Sequence, residues 1–344
     1  MSHKHDCPDC ESRASVTRRD FIRTAGTAAV AVGASPLLAR ADVAIAKDAP
    51  AETVTKLLYE SLSDAQKKEV CFAWDHSEPE RGLLRTRIAN NWNITKPNIT
   101  SDFYTKDQQA MIKHIFEEII QPDWHERIYK QLEDDAGGYG EQQSIAMFGA
   151  PGDKFEFVMT GRHMTIRCDG NSADHMAFGG PIFYGHAAQG FNEKPTHPGN
   201  VFWHQALAAN RVYEMLDEKQ RKVALLDKLP REQEVAFQGT GGKLPGIAVG
   251  ELSSDQKSLV KDVLAKLLEP YRPTDREEAS ALLEKQGGLD ACNLAFYREG
   301  DVGNDQVWDC WRLEGPSFVW YYRGAPHVHV WVNVGDDASV KLNA

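Results

Sequence analysis

The chain has 344 residues, of which 42% are hydrophobic and 26% charged, with 27 Gly and 16 Pro. That is a globular composition, so disordered, collagen-like and coiled-coil classes are excluded and a core can form without disulfides. A net charge of −11 argues against nucleic acid or anionic lipid as a bulk partner, because phosphate binding needs a Lys/Arg excess.

Thr17-Arg18-Arg19-Asp20-Phe21-Ile22-Arg23 is a twin-arginine export motif, followed by a mildly apolar run from Ala25 to Leu38. Ala39-Arg40-Ala41 has the small-x-small form of a signal-peptidase site, so 1–41 reads as a leader and 42–344 as one large domain. The apolar run is shorter than the roughly 20 residues a bilayer span needs, and no later segment reads as a span. The expected partner is therefore the twin-arginine export machinery, with no membrane anchor and a periplasmic or secreted location. His3, His5, Cys7 and Cys10 look like a metal site but lie upstream of the twin arginines and leave with the leader. Cys71, Cys168, Cys292 and Cys310 remain for an oxidising compartment. Their pairing is not fixed by the sequence.

Three segments share a pattern: Leu62-Ser63-x-x-Gln66, Leu216-Asp217-x-x-Gln220 and Leu252-Ser253-x-x-Gln256. Each places an N-cap residue three positions before a Gln whose side chain can return to the cap's own N–H. The copies are unequally spaced, which excludes a solenoid of fixed period. Helix is predicted at 107–133, interrupted by Pro122, again at 201–217, and behind Ser253 on the stripe Leu259, Val260, Val263, Leu264, Leu267, Leu268. His114, His125 and His204 fall in these helices and read as packed or terminal histidines.

Residues 154–168 read as strand, with apolar side chains at odd positions before Gly161 and at even positions after it, which predicts a bulge or bend there. The stretch Gly170–Gly199 reads as a Gly/Pro-rich loop carrying His175, His186 and His197, and Gly239–Gly246 as a Gly-rich connection. Dense alternation over 292–334 predicts an antiparallel meander. The fold class is α+β, capped helices packed on an antiparallel sheet, since helices and strands come in blocks without a βαβ rhythm.

The segment with the most chemistry is Pro326-His327-Val328-His329-Val330-Trp331-Val332-Asn333-Val334. Its four valines make one core face and put His327, His329, Trp331 and Asn333 on the other. Histidines at i and i+2 on a strand lie about 6.5–7 Å apart at Cα, within reach of one ion. A third histidine would complete a three-histidine site with an open position, and His163 beside the Gly161 bend is the candidate. Such a site suits zinc, copper or iron. Hydrolase, nucleotide and zincin signatures are missing.

Met147-Phe148-Gly149-Ala150-Pro151, Gly161-Arg162-His163, Pro181-Ile182-Phe183-Tyr184-Gly185, Trp311-Arg312-Leu313-Glu314-Gly315-Pro316-Ser317-Phe318 and the closing His327-x-His329 occur in this order. Together they resemble the exported bacterial family called domain of unknown function 3500. The family pattern has Gly-His-His where this chain has Gly161-Arg162-His163, so only His163 carries over. The resemblance implies a fold and an export habit and brings no reaction with it. Two functions follow as expectations. One is an exported metalloprotein, a metal-dependent enzyme in its fullest form, with His163, His327 and His329 as ligands. The alternative is a non-catalytic periplasmic small-ligand-binding protein whose cleft is lined by Trp331 and Tyr321.

Overall fold

The structure is a computed structural model and describes residues 46, 48–187, 197 and 199–343. The twin-arginine segment and the leader lie outside the described residues. The first half of the chain runs α1 (Ala51–Ser61), α2 (Asp64–Val70), β1 (Cys71–Phe72), a small hairpin β2 (Ser77–Glu78) and β3 (Gly82–Leu83), then α3 (Lys106–Ile119) and α4 (His125–Ala136). Four strands follow: β4 (Gln143–Gly149), β5 (Phe155–Gly161), β6 (Met164–Cys168) and β7 (Ile182–His186). The second half repeats this plan with α5 (Trp203–Glu214), α6 (Glu218–Ala224), β8 (Leu225–Leu226), β9 (Ile247–Ala248), α7 (Ser254–Leu268) and α8 (Pro273–Lys285). Its four strands are β10 (Asn293–Tyr297), β11 (Cys310–Gly315), β12 (Phe318–Arg323) and β13 (Val328–Val334). This is the α+β architecture expected, with the meander at 292–334 as β10–β13.

One sheet joins the halves in the order β1-β4-β5-β6-β7-β13-β12-β11-β10-β8, with β9 beside β10. The order reads the same from either end about the β7/β13 pair. The pairing repeats as well as the order. β1 is parallel to β4 with Cys71 opposite Met147, and β8 is parallel to β10 with Leu225 opposite Phe296. Gly161 of β5 faces Met164 of β6, and Gly315 of β11 faces Phe318 of β12.

The capping boxes belong to the same duplication. Those at Ser63, Asp217 and Ser253 form as the sequence predicts, and a fourth forms at Thr105 with Gln108. The cap glutamines then meet in pairs. Gln66 Nε2 donates to Gln108 Oε1 at 2.8 Å in the first half, and Gln256 Nε2 to Gln220 Oε1 at 2.8 Å in the second. Gln108 Nε2 also donates to Ser61 O at 3.0 Å, and Gln256 Nε2 to Met215 O at 2.8 Å. An internal repeat is therefore present, as a two-fold pair of halves and not a solenoid.

Helices cover one face of the sheet. There Met111, Ile112, Ile115 and Phe116 of α3 and Val260, Val263 and Leu267 of α7 pack on Met147, Phe157, Ile166 and the four valines of β13. The other face is closed by irregular chain. Leu84 and Ile94 cover Phe148 and Val158, while Ile88 and Val235 cover Phe183, Tyr321 and Trp331. A strand buried on both faces must be apolar or paired throughout, and β13 is buried at every residue.

The parity change at Gly161 has a different cause from the one the sequence suggests. The chain reverses after Gly161 through the two-residue turn Arg162-His163, and Gly161 itself faces Met164. A reversal over two residues joins odd positions of one strand to even positions of the next, so no bulge is needed. Gly161 is required by close approach: a Cβ there would lie 2.6 Å from Gln142 O. β7 occupies part of what reads as a Gly/Pro-rich loop. Cys71, Cys168, Cys292 and Cys310 are all free, and burial pushes their thiols up, those of Cys292 and Cys310 to about 12. No helix among the described residues is long and apolar enough to cross a membrane.

Candidate metal centre

Strand order brings the three histidines together. Met164 of β6 lies opposite Tyr184 of β7, which lies opposite Val330 of β13. One residue earlier on each flanking strand come His163 and His329, level with each other and separated by Gly185. Strands two apart are roughly 9.5 Å from one another, a gap that two imidazoles can close when the residue between them has no side chain. A Cβ on Gly185 would sit 2.1 Å from Val328 O, so the strand pair leaves no room for one.

His163 occupies the left-handed region at φ 53, unusual for a residue with a Cβ. Its N–H donates to Asn90 O at 3.0 Å, which anchors the turn from the opposite side. His163, His327 and His329 are 4, 9 and 6% exposed, and their ligand atoms all lie within 4.8 Å of one another. His329 Nε2 is 3.1 Å from His163 Nε2 and 2.9 Å from His327 Nε2.

The Nδ1 atoms face carboxylates. Asp135, in the last turn of α4, accepts from His163 Nδ1 through Oδ2 and from Arg162 Nε, at 2.9 Å, through Oδ1. Glu232, on the segment between β8 and β9, accepts from His329 Nδ1 at 3.1 Å and pairs with Arg323 through the same Oε1. Burial lowers both imidazoles below their ordinary value, His329 to about 3 with Arg323 adding to the effect. Burial would raise the Asp135 carboxyl, but the His163 hydrogen bond and the Arg162 guanidinium bring it below the usual range.

Every residue singled out in the sequence can now be placed. His163, His327 and His329 converge. Among the described residues Trp331 and Tyr321 line no open cleft: both are fully buried in the cluster around Phe183, and Trp331 stacks edge-on against Phe183 at 5.1 Å. The alternation correctly puts Trp331 on the histidine face, but long covering segments make that face a second core. His114 and His125 bond Ala49 O and Glu117 O at 2.7 and 2.9 Å, and His204 bonds Val201 O at 3.2 Å. His175 pairs with Asp336, His186 with Asn200, and His197 accepts from Gly199 N–H. Asp135, Glu232, Arg162, Arg323 and Gly185 are site residues that the sequence reading missed. Arg162 and Gly185 stand inside quoted motifs, whereas the two carboxylates sit on unremarkable helical and loop positions.

Neither a curated protein nor a solved structure matches the chain. A family model does match, over residues 46–332, and its description is protein of unknown function, DUF3500. That span covers most of the chain, including the three histidines. The chain belongs to the DUF3500 family.

Proposed function

We propose that this protein is an exported metalloprotein that holds one transition-metal ion (zinc, copper or iron) on His163, His327 and His329 and uses the remaining coordination position for chemistry on a small molecule. The observation that carries this reading is the meeting of the Nε2 atoms while two of the Nδ1 atoms face carboxylates. A carboxylate keeps the proton on Nδ1, so Nε2 of His163 and of His329 presents a lone pair. Two lone pairs 3.1 Å apart repel unless a cation lies between them. Ligands at about 2.1 Å from a tetrahedral ion stand about 3.4 Å from one another, close to the spacing seen. A carboxylate behind a ligating imidazole is the usual means of fixing its tautomer and raising its basicity.

Three protein ligands with one position left open is the arrangement of catalytic zinc sites, where structural ones are closed by four. An ion so held polarises an oxygen bound to it or makes bound water acidic. The export part of the reading rests on the twin-arginine motif, and replacing Arg18 and Arg19 by Lys is expected to retain the protein in the cytoplasm. Metal content tests the central claim. Tag-free protein reconstituted separately with zinc, copper and iron is expected to retain about one ion per chain of at least one of them. A ratio near zero for all three overturns the reading.

A further inference from the structure

Two of the three imidazoles carry the same outer assembly, a carboxylate on Nδ1 and a guanidinium on that carboxylate. Asp135 accepts from His163 Nδ1 through Oδ2 and from Arg162 Nε, at 2.9 Å, through Oδ1. Glu232 accepts from His329 Nδ1 at 3.1 Å and pairs with Arg323 Nη1, both through Oε1. The two assemblies stand at opposite ends of the histidine row, and their acids come from a helix end and a connecting segment, so the same arrangement is built twice from different elements.

Backbone pairing sets each arginine beside its histidine whatever its side chain does. Arg162 bridges to Asn91, and the His163 N–H that follows it is held by Asn90 O. Arg323 lies directly opposite His329 in the β12–β13 register. The guanidiniums therefore add charge to positions that the main chain already fixes. Imidazoles are neutral ligands, and Asp135 and Glu232 by themselves would turn two negative charges toward a bound ion and tighten its hold. Arg162 and Arg323 set two positive charges against them. Their side chains are 33 and 25% exposed, against 0 and 13% for the carboxylates. Each acid bonds an imidazole and each guanidinium bonds the acid, so the arginine repels the ion from farther out and subtracts part of the acid's pull.

We propose that Arg162 and Arg323 are positioning residues that loosen the hold on the metal ion by charge, countering Asp135 and Glu232 and leaving the ion more of its own charge for a ligand at the open position. The inference rests on the three-histidine metal reading and adds to it what sets the strength of the site. A purely structural role has the opposite sign. An arginine that only steadied its carboxylate would strengthen the site, and its loss would weaken metal binding.

The test uses the full chain and cobalt(II), whose affinity is read by competition with a chelating dye and whose visible bands report the ligand geometry. Arg162→Gln and Arg323→Gln are each expected to bind cobalt about tenfold more tightly than wild type, with unchanged bands. That is the scale of one charge removed roughly 8–10 Å from a divalent ion at a dielectric near that of water. Arg162→Lys and Arg323→Lys keep the charge and should stay within about threefold of wild type. Should one Gln variant fail to fold, the other carries the same test from the opposite end of the row. Gln variants that bind cobalt as wild type does, or more weakly, overturn the proposal and leave the metal reading standing. So do Lys variants that tighten as much as the Gln variants. Failure of the wild-type chain to take up cobalt overturns the metal reading itself, and this proposal with it.

Discussion

A histidine is a ligand or a packed side chain according to what its second nitrogen touches. His114 bonds a backbone carbonyl, and His204 bonds a backbone carbonyl with Glu269 3.9 Å from its Nε2, so neither ring is drawn toward another histidine. His163 and His329 have carboxylates behind them and each other in front. His163→Ala, His327→Ala and His329→Ala should therefore each remove most of the bound metal, with losses that do not add because the three act as a unit. His114→Ala and His125→Ala should bind as wild type does. Asp135→Asn and Glu232→Gln leave all three ligands in place but remove the group that orients one of them. The expected loss of metal affinity is about 10–100-fold, read by competition with a chelating dye. Affinity unchanged in both would mean the carboxylates serve only to pair with Arg162 and Arg323. Gly185→Ala is predicted to lower metal occupancy without touching a ligand, since its Cβ would meet Val328 O at 2.1 Å and push β7 from β13. The three histidines were legible in the sequence because a His-x-His on a valine strand and a histidine beside a glycine turn are local patterns. The carboxylates were not, because Asp135 and Glu232 come from elements remote in sequence, and nothing local separates them from any other acidic residue of α4 or of a loop.

Elements were read best where a cap announced them. Ser63, Asp217 and Ser253 begin helices as their Gln partners predict, but the fourth box at Thr105 went unread because Tyr104 stands where the other three have Leu and Gln109 where they have Lys67, Arg221 and Lys257. Those departures hid the duplication: with Thr105 included, the boxes pair as Ser63 with Asp217 and Thr105 with Ser253. The cap glutamines do more than close a helix, since each also bonds its counterpart from the neighbouring helix. Gln108→Ala and Gln256→Ala are expected to destabilise by about 2 kcal/mol each, above the roughly 1 kcal/mol of an ordinary cap, because a buried amide pair is broken as well. Denaturant midpoints measure this, and a cost no larger than that of an exposed cap would show the pairing to be idle. The loop between β10 and β11 contributes a pH effect. Asp309 is buried, accepts from Val302 N–H at 2.6 Å, and is raised to about 7 by burial, with Asp301 and Asp305 adding. A folded value above the unfolded one means that the native state keeps a proton the unfolded chain has released between about pH 4 and 7, so stability falls as pH rises through that window and levels off above it. Asp309→Asn accepts the same hydrogen bond without a charge. Between pH 5 and 8 wild type should lose on the order of 2–3 kcal/mol relative to the variant, and parallel loss in the two would refute the assignment.

At the scale of the molecule the three-histidine cluster is a clasp between the halves. His163 belongs to the first, on the turn before β6, and His327 and His329 to the second, at the start of β13. The halves already share one sheet across β7 and β13 and one core in which valines of β13 meet Phe157 and Ile166. With core and sheet continuous, neither half can unfold without exposing the other, so thermal unfolding should be a single transition with or without metal. An ion that binds only the folded chain stabilises it by RT ln(1 + [L]/Kd), about 2.7 kcal/mol at a hundredfold excess over Kd. For a chain of this size each kcal/mol moves Tm by about 2 °C, so metal should raise Tm by about 5 °C in one step. The apo forms of His163→Ala and His329→Ala should melt near apo wild type, because the valine face of β13 stays packed, and should gain nothing from metal. The outcome that would sink the clasp is a metal-induced splitting of the melt, with only one part shifted. That pattern would place the bound ion within one half, and the three histidines span both.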